Sequence, residues 1–153
     1  MANIFKKLNL KDQNEILIVN SPESFEAEIE QLANVKVLRE LGKAKEIHFS
    51  LTFVTSRSEL NKLVPKLVKK IIGDAVVWFA YPKKTSKTFT SDINRDAGWE
   101  VLGEAGFEGV RQVAIDQDWS ALRFRHVDYI KEIKRSPDFA LSKEGKKRAK
   151  GDC

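Results

Sequence analysis

Cysteine is nearly absent: the only one among 153 residues is Cys153, the last. That excludes an internal disulfide and makes a zinc cluster implausible. Histidine is almost as scarce, with His48 and His126 alone. Neither has a Cys or His neighbour at metal-ligand spacing, and H-E-x-x-H does not occur. Long hydrophobic runs are missing too. No stretch approaches the roughly 20 apolar residues that a membrane-crossing helix needs. Met1–Leu10 carries Lys6 and Lys7 instead of an apolar leader segment. The last shortage is local. After the first apolar run, "NEILIVN" (14–20), comes "SPESFEAE", with no glycine but with Pro22, Glu23, Glu26 and Glu28. A backbone that approaches a nucleotide closely needs glycines at such a turn, and this one offers bulk and negative charge. No P-loop and no G-x-S-x-G elbow occurs elsewhere.

What is present suits a single domain. A hydrophobic content of 42% over this length can bury a proper core, and a cytoplasmic location without a membrane partner is expected. The net charge of +5 is unevenly placed. From Tyr129 to Cys153 eight basic residues face four acidic ones, so the preceding body is close to neutral. We therefore expect an α/β domain over 1–128 and a basic, partly disordered tail over 129–153. Such a tail can hold nucleic acid; more commonly it is a solubilising end.

Strand and helix signals alternate. "NEILIVN" reads as a buried strand. Ser21 as N-cap and Pro22 at the first helical position predict a helix over 22–32, with Phe25, Ile29 and Leu32 inward. "VKVL" (35–38) is a short strand, and "EIHFSLTFV" (46–54) a strong one, with too few residues between them for an ordinary crossover helix. Ser56-Arg57-Ser58-Glu59 is a capping box. The helix behind it carries Leu60, Leu63, Val64, Leu67, Val68 and Ile71 in one stripe, with a kink expected at Pro65 and an end at Gly73. "AVVWFAYP" (75–82) is the next strand. A helix capped by Ser91 or Asp92 should follow, with Ile93, Ala97, Val101 and Ala105 inward and Gly106 as its left-handed stop. "GVRQVAID" (109–116) and "WSALRFRHV" (119–127) close the domain as an antiparallel hairpin. This order predicts a three-layer α/β sandwich around a mainly parallel sheet.

From Glu46 onward the layout resembles the second half of a class I, Rossmann-like methyltransferase. "IHFSLTFV", "LNKLVPKLVKKIIGD", "AVVWFAYP" and "WEVLGEAGFEGVRQVAI" carry that resemblance over about half of the chain. A more specific set spans residues 14–126: "FVTSRSEL", "VWFAYPKK", "DINRDAGWE" and "AIDQDWSALRFR". It is similar to a bacterial family of small α/β proteins marked by Tyr/Trp-Pro-Lys-Lys and a Trp-Ser-Ala/Gly-Leu-Arg-Phe ending. That resemblance implies Rossmann-like architecture and brings no activity with it. A class I methyltransferase would bind S-adenosylmethionine at a tight glycine turn after the first strand, which this chain lacks, so no cofactor is expected.

Ligands of such sheets gather where the strands' carboxyl ends open into loops. Here the best candidate is "YPKKTSK" and the segment after it. Lys83, Lys84 and Lys87 leave a buried strand and approach the expected helix start at Ser91, with Arg95 one turn in. That geometry could hold an anionic small molecule; the competing reading is a solvated connection. In the final strand, alternation puts Trp119, Arg123 and Arg125 on one face. They could stack on bases or meet phosphates, or form an edge strand whose Trp packs inward while the arginines pair with acids. Asp116 and Asp118 could bind a cation, or accept backbone amides at their turn. His48, mid-strand, reads as structural. The expected function is a non-catalytic binding or interaction module. Alternatives are a divergent methyltransferase-like enzyme in the same cleft, or nucleic-acid binding through the tail.

Overall fold

The computed structural model describes residues 4–11, 13–87, 89–93 and 98–130. The tail beyond residue 130, and with it the expectation of disorder there, lies outside the described residues, as does Arg95. Among the described residues six strands form one sheet: β1 (Glu15–Val19), β2 (Lys36–Leu38), β3 (Ile47–Phe53), β4 (Ile71–Pro82), β5 (Phe107–Ala114) and β6 (Trp119–His126). Their order across the sheet is β2-β1-β3-β4-β6-β5. The first four are parallel, and β6 runs antiparallel to both β4 and β5. The mainly parallel sheet with a closing hairpin is therefore what the chain builds. One detail differs from expectation: the last strand is not an edge. β6 inserts between β4 and β5, which leaves β5 outermost.

Helices cover both faces, as alternation and right-handed crossovers require. On one side α1 (Ile4–Lys7) and α2 (Glu26–Glu30) cover the sheet, with Phe5, Phe25 and Ile29 packed on Ile16, Ile18, Phe49, Leu51, Trp78 and Trp119. On the other lie α3 (Arg57–Val68) and α4 (Glu100–Glu104). Their Leu60, Val64, Leu67 and Leu102 pack on Leu17, Val19, Val77, Phe79 and Phe124. Each strand serves both cores through its period of two. Trp78 also fastens α1 to the sheet, its indole N–H donating to Leu8 O at 2.7 Å.

Several helices are shorter than their apolar patterns suggested. The segment 22–32 divides into a 3-10 turn (Glu23–Phe25) and α2, and Ser21 does not cap it. Ser56 does cap α3, accepting from the Glu59 amide at 3.1 Å, while Glu59 reaches back to the Thr55 amide. That helix stops at Val68 and β4 already begins at Ile71, with Gly73 at φ +56 inside the strand. The stripe through Ile71 was helical in phase only by coincidence, since a β-branched pair suits a strand equally well. Ser91 opens no helix at residues 91–93, and Ala97 of the expected inner face lies outside the described residues; α4 runs Glu100–Glu104. Gly106 follows its end at φ +88, where a Cβ would meet His126 Nε2 at 2.8 Å. No helix of the described residues is long and apolar enough to cross a membrane.

Candidate functional site

β1 sends the chain outward to β2, whereas β3 lies on its other side. This reversal of direction lies at the carboxyl ends of β1 and β3, the usual ligand place in such sheets. Because β6 is antiparallel, its first residue joins the same edge, and Trp119 stands opposite Pro82. The edge therefore collects Asn20-Ser21, Thr55-Ser56, Lys83 and the Asp116–Trp119 turn.

At β1 the polar groups bind one another. Ser21 Oγ donates to Glu26 Oε2 at 2.9 Å and accepts from Arg39 Nη1 at 3.0 Å. Arg39, the residue after β2, also donates to both Glu26 oxygens, at 3.1 and 2.7 Å. Two parallel guanidinium bonds to one carboxylate make a strong, directional pair. The Arg39 bonds hold Glu26 below its ordinary carboxylate value, and the Ser21 bond adds to this. A chain of rings packs near the same strand ends. Phe25 lies 5.1 Å from Phe53, Phe53 lies 5.1 Å from Trp119, and Trp119 lies 4.9 Å from Phe89.

The lysine loop is tied down at several points. The Lys83 amide donates to Asp118 O at 2.8 Å, and Ser86 Oγ donates to Asp118 Oδ1 at 2.9 Å. The Phe89 amide closes onto Ser86 Oγ at 3.1 Å. Lys83 is half-buried, while Lys84 and Lys87 are exposed. Ser91 is not a helix cap; its Oγ accepts from the Ile93 amide at 3.0 Å. Asp92 instead caps the neighbouring helix. Its Oδ1 accepts from the Arg57 amide at 2.8 Å, and its carbonyl accepts from Arg57 Nε at 3.0 Å. The start of α3, an anion-attracting end, thus already holds a carboxylate.

Trp119, Arg123 and Arg125 share a strand face but not a role. Trp119 is only 3% exposed, so it has no free face for a base. Arg125 grips Asp74, with Nε to Oδ1 at 2.9 Å, and that bond lowers the Asp74 carboxyl. Arg123 is half-buried beside Arg111, its cross-strand neighbour, and its Nε has no partner among the described residues. Burial pushes its guanidinium below the ordinary value, and the charges of Arg125 and Arg111 act the same way against Asp74. The inward-packed Trp and one paired arginine fit the structural interpretation of this strand. Asp116 is structural as well: Oδ1 accepts the amides of Asp118 and Trp119, each at 2.8 Å. His48 is exposed in β3, 3.7 Å from Glu46. Among the described residues no group of three or more His, Cys, Asp or Glu gathers as a metal site.

Sequence reasoning missed Arg39, Glu26 and Arg57 as organisers of this edge. Nothing local links residues 26 and 39, or 57 and 92; only the strand order brings them together.

No family model and no curated protein matches the chain. Solved structures do. The chain is similar to a SAM dependent methyltransferase from Aquifex aeolicus, with 17% identity, coverage of 81% of this chain and 88% of that one, and a TM-score of 0.52. It also aligns with the N-methyltransferase NodS from Bradyrhizobium japonicum WM9, at 10% identity, 74% and 85% coverage and a TM-score of 0.48. TehB from Haemophilus influenzae aligns at 8% identity, 80% and 61% coverage and a TM-score of 0.48.

A methyltransferase-like fold places a nucleoside cofactor at the end of its first strand, and the residues here do not fit one. Pro22 has no N–H to donate. The carboxylate and hydroxyl that could meet ribose oxygens are engaged by Arg39. Phe25, which neighbours Glu26 in sequence, is buried against Phe53. The chain has the Rossmann-like, methyltransferase-like fold.

Proposed function

We propose that this domain is a non-catalytic binding module that takes an anionic ligand at the strand-end edge. The observation that carries the proposal is the Ser21–Glu26–Arg39 cluster, which uses the polar groups of the cofactor position for internal bonding. The lysine loop carries the positive charge of this edge: Lys84 and Lys87 are exposed beside the half-buried Lys83. Calorimetry tests the proposal. S-adenosylmethionine and dinucleotides should give no binding heat, whereas sulfate or phosphate should raise the melting temperature by mass action on the folded state.

One feature favours a second reading, an S-adenosylmethionine-dependent enzyme in the same cleft. Asn20 sits at φ +59 directly after β1, and asparagine is among the few residues that tolerate this region. It could shape the turn that glycine shapes elsewhere. Low-micromolar affinity for S-adenosylmethionine, lost in Asn20→Val, would replace the first reading with this one.

A further inference from the structure

A groove of about 580 Å3 runs along α3 and is lined by Leu41, Gly42, Glu59, Lys62, Leu63, Lys66, Lys69 and Lys70. Its floor is apolar. Leu41 and Leu63 pack on the core from one side and remain half-exposed on the other. Gly42 leaves it open, since a Cβ there would meet nothing within 4 Å. The rim is basic. Lys62 and Lys66, like Lys66 and Lys70, stand four residues apart on α3 and the turn after it, a like-charge spacing that destabilises a helix. None of Lys62, Lys66, Lys69 and Lys70 pairs with an acid among the described residues. The helix dipole favours the lysines of the last turn, but it gives no reason for Lys62 in the middle. Glu59, the single acid of the lining, is turned to the Thr55 amide.

We infer that this groove binds a free, single-chain anionic amphiphile, with its acyl chain on Leu41 and Leu63 and its head group at Lys66 and Lys69. Charge complementarity sets the sign, and it also sets the direction. Glu59 repels an anion at one end, and the lysines gather at the other. Lys70 is not the head-group ligand, because its ammonium already donates to Leu41 O at 2.7 Å and fixes the groove wall. The length fits as well. From Glu59 to Val68 the helix rises about 14 Å, comparable to an extended acyl chain of medium length. Lysine stems add apolar wall below their charged tips. The volume lies within the common range for small-ligand sites, about 300–1,000 Å3.

Laurate below its micellar concentration is the probe, with dodecanol as its uncharged counterpart and the full chain as the protein. Calorimetry should give one laurate per chain and at least tenfold weaker binding of dodecanol. Lys66→Gln with Lys69→Gln should weaken laurate at least tenfold and leave dodecanol unchanged, while the melting temperature stays within a degree or two. Leu63→Asn should weaken both. Laurate binding that ignores the lysine pair would be nonspecific apolar adsorption and would overturn the inference. So would no binding of free laurate together with flotation on phosphatidylglycerol vesicles, which would assign the face to a bilayer instead.

Discussion

The strand-end edge and the α3 flank differ in what their side chains have left to offer. At the edge Arg39 binds Glu26, Asp92 takes the first amide of α3, Asp116 takes two amides, and Asp118 holds Ser86. On α3 and the turn after it four lysines form no ion pair among the described residues, beside two half-exposed leucines. Strand order points to the edge as the ligand place, whereas side-chain chemistry leaves the flank more open to one. A fold determines where a crevice lies; the residues decide whether it is a site or a seal.

That contrast can be broken most forcefully at Trp119. If the edge is a seal, Trp119→Ala removes a buried ring from between Phe53 and Phe89 and should cost about 3–5 kcal/mol, or ~10 °C in melting temperature for a domain of this size. Leu63→Ala, at the half-exposed groove floor, should cost about 1 kcal/mol. Chemical denaturation compares the two directly. Equal losses would mean that the flank is as structural as the edge.

The next effect in size concerns Asp92. Its carboxylate caps α3 from a loop 35 residues away, so Asp92→Ala should cost about 1 kcal/mol. Urea titration should show a lower midpoint with an unchanged slope. No change in midpoint would mean that water replaces the cap and that the loop is not anchored there.

Much of this architecture was legible because burial writes a period into the chain. The runs at 14–20, 46–54 and 75–82 became β1, β3 and β4, and Gly106 ended a helix as expected. Ser56-Arg57-Ser58-Glu59 announced its cap through spacing alone. Legibility failed where the pattern was shared or the cause was distant. Ile71 fits a helix stripe and a strand equally, and only pairing with Ile47 decides for the strand. Ser91 and Asp92 look like a helix start, yet Asp92 caps a helix that precedes it in sequence. The pair of Glu26 and Arg39 depends on β2 lying beside β1, which no local spacing reveals.

Acid provides a smaller test, at the edge through Glu26 and at the opposite end of the sheet through Asp74, near the start of β4. Glu26 and Asp74 are both held below their ordinary values by arginine hydrogen bonds. Folding therefore favours their ionised forms. Their contribution is complete above the unfolded carboxylate range and disappears as pH falls through the depressed native values. Both pairs are partly solvated, with side chains about a third exposed or more, so each should contribute about 1 kcal/mol at most. Melting temperatures from neutral to acid pH should fall less steeply for Arg39→Gln and for Arg125→Gln than for the parent. Parallel curves would show that neither pair is linked to folding.

The smallest effect on stability carries the most information about ligand binding. Lys84 is exposed, and among the described residues Lys83 is held through its backbone amide, not its ammonium. Lys83→Ala with Lys84→Ala should therefore leave melting in ligand-free buffer almost unchanged. If the edge holds an anion through these side chains, the same pair should abolish the stabilisation by sulfate or phosphate. Sulfate also strengthens apolar burial in any protein, so the parent and the mutant must be compared at equal ionic strength. Lys66→Gln with Lys69→Gln serves as the second control, because it removes two charges from the other region. Loss of the sulfate effect only in the Lys83–Lys84 variant would assign the anion to the edge. Equal stabilisation of all three proteins would make the loop a solvated connection and leave the α3 groove as the only charged site of the two.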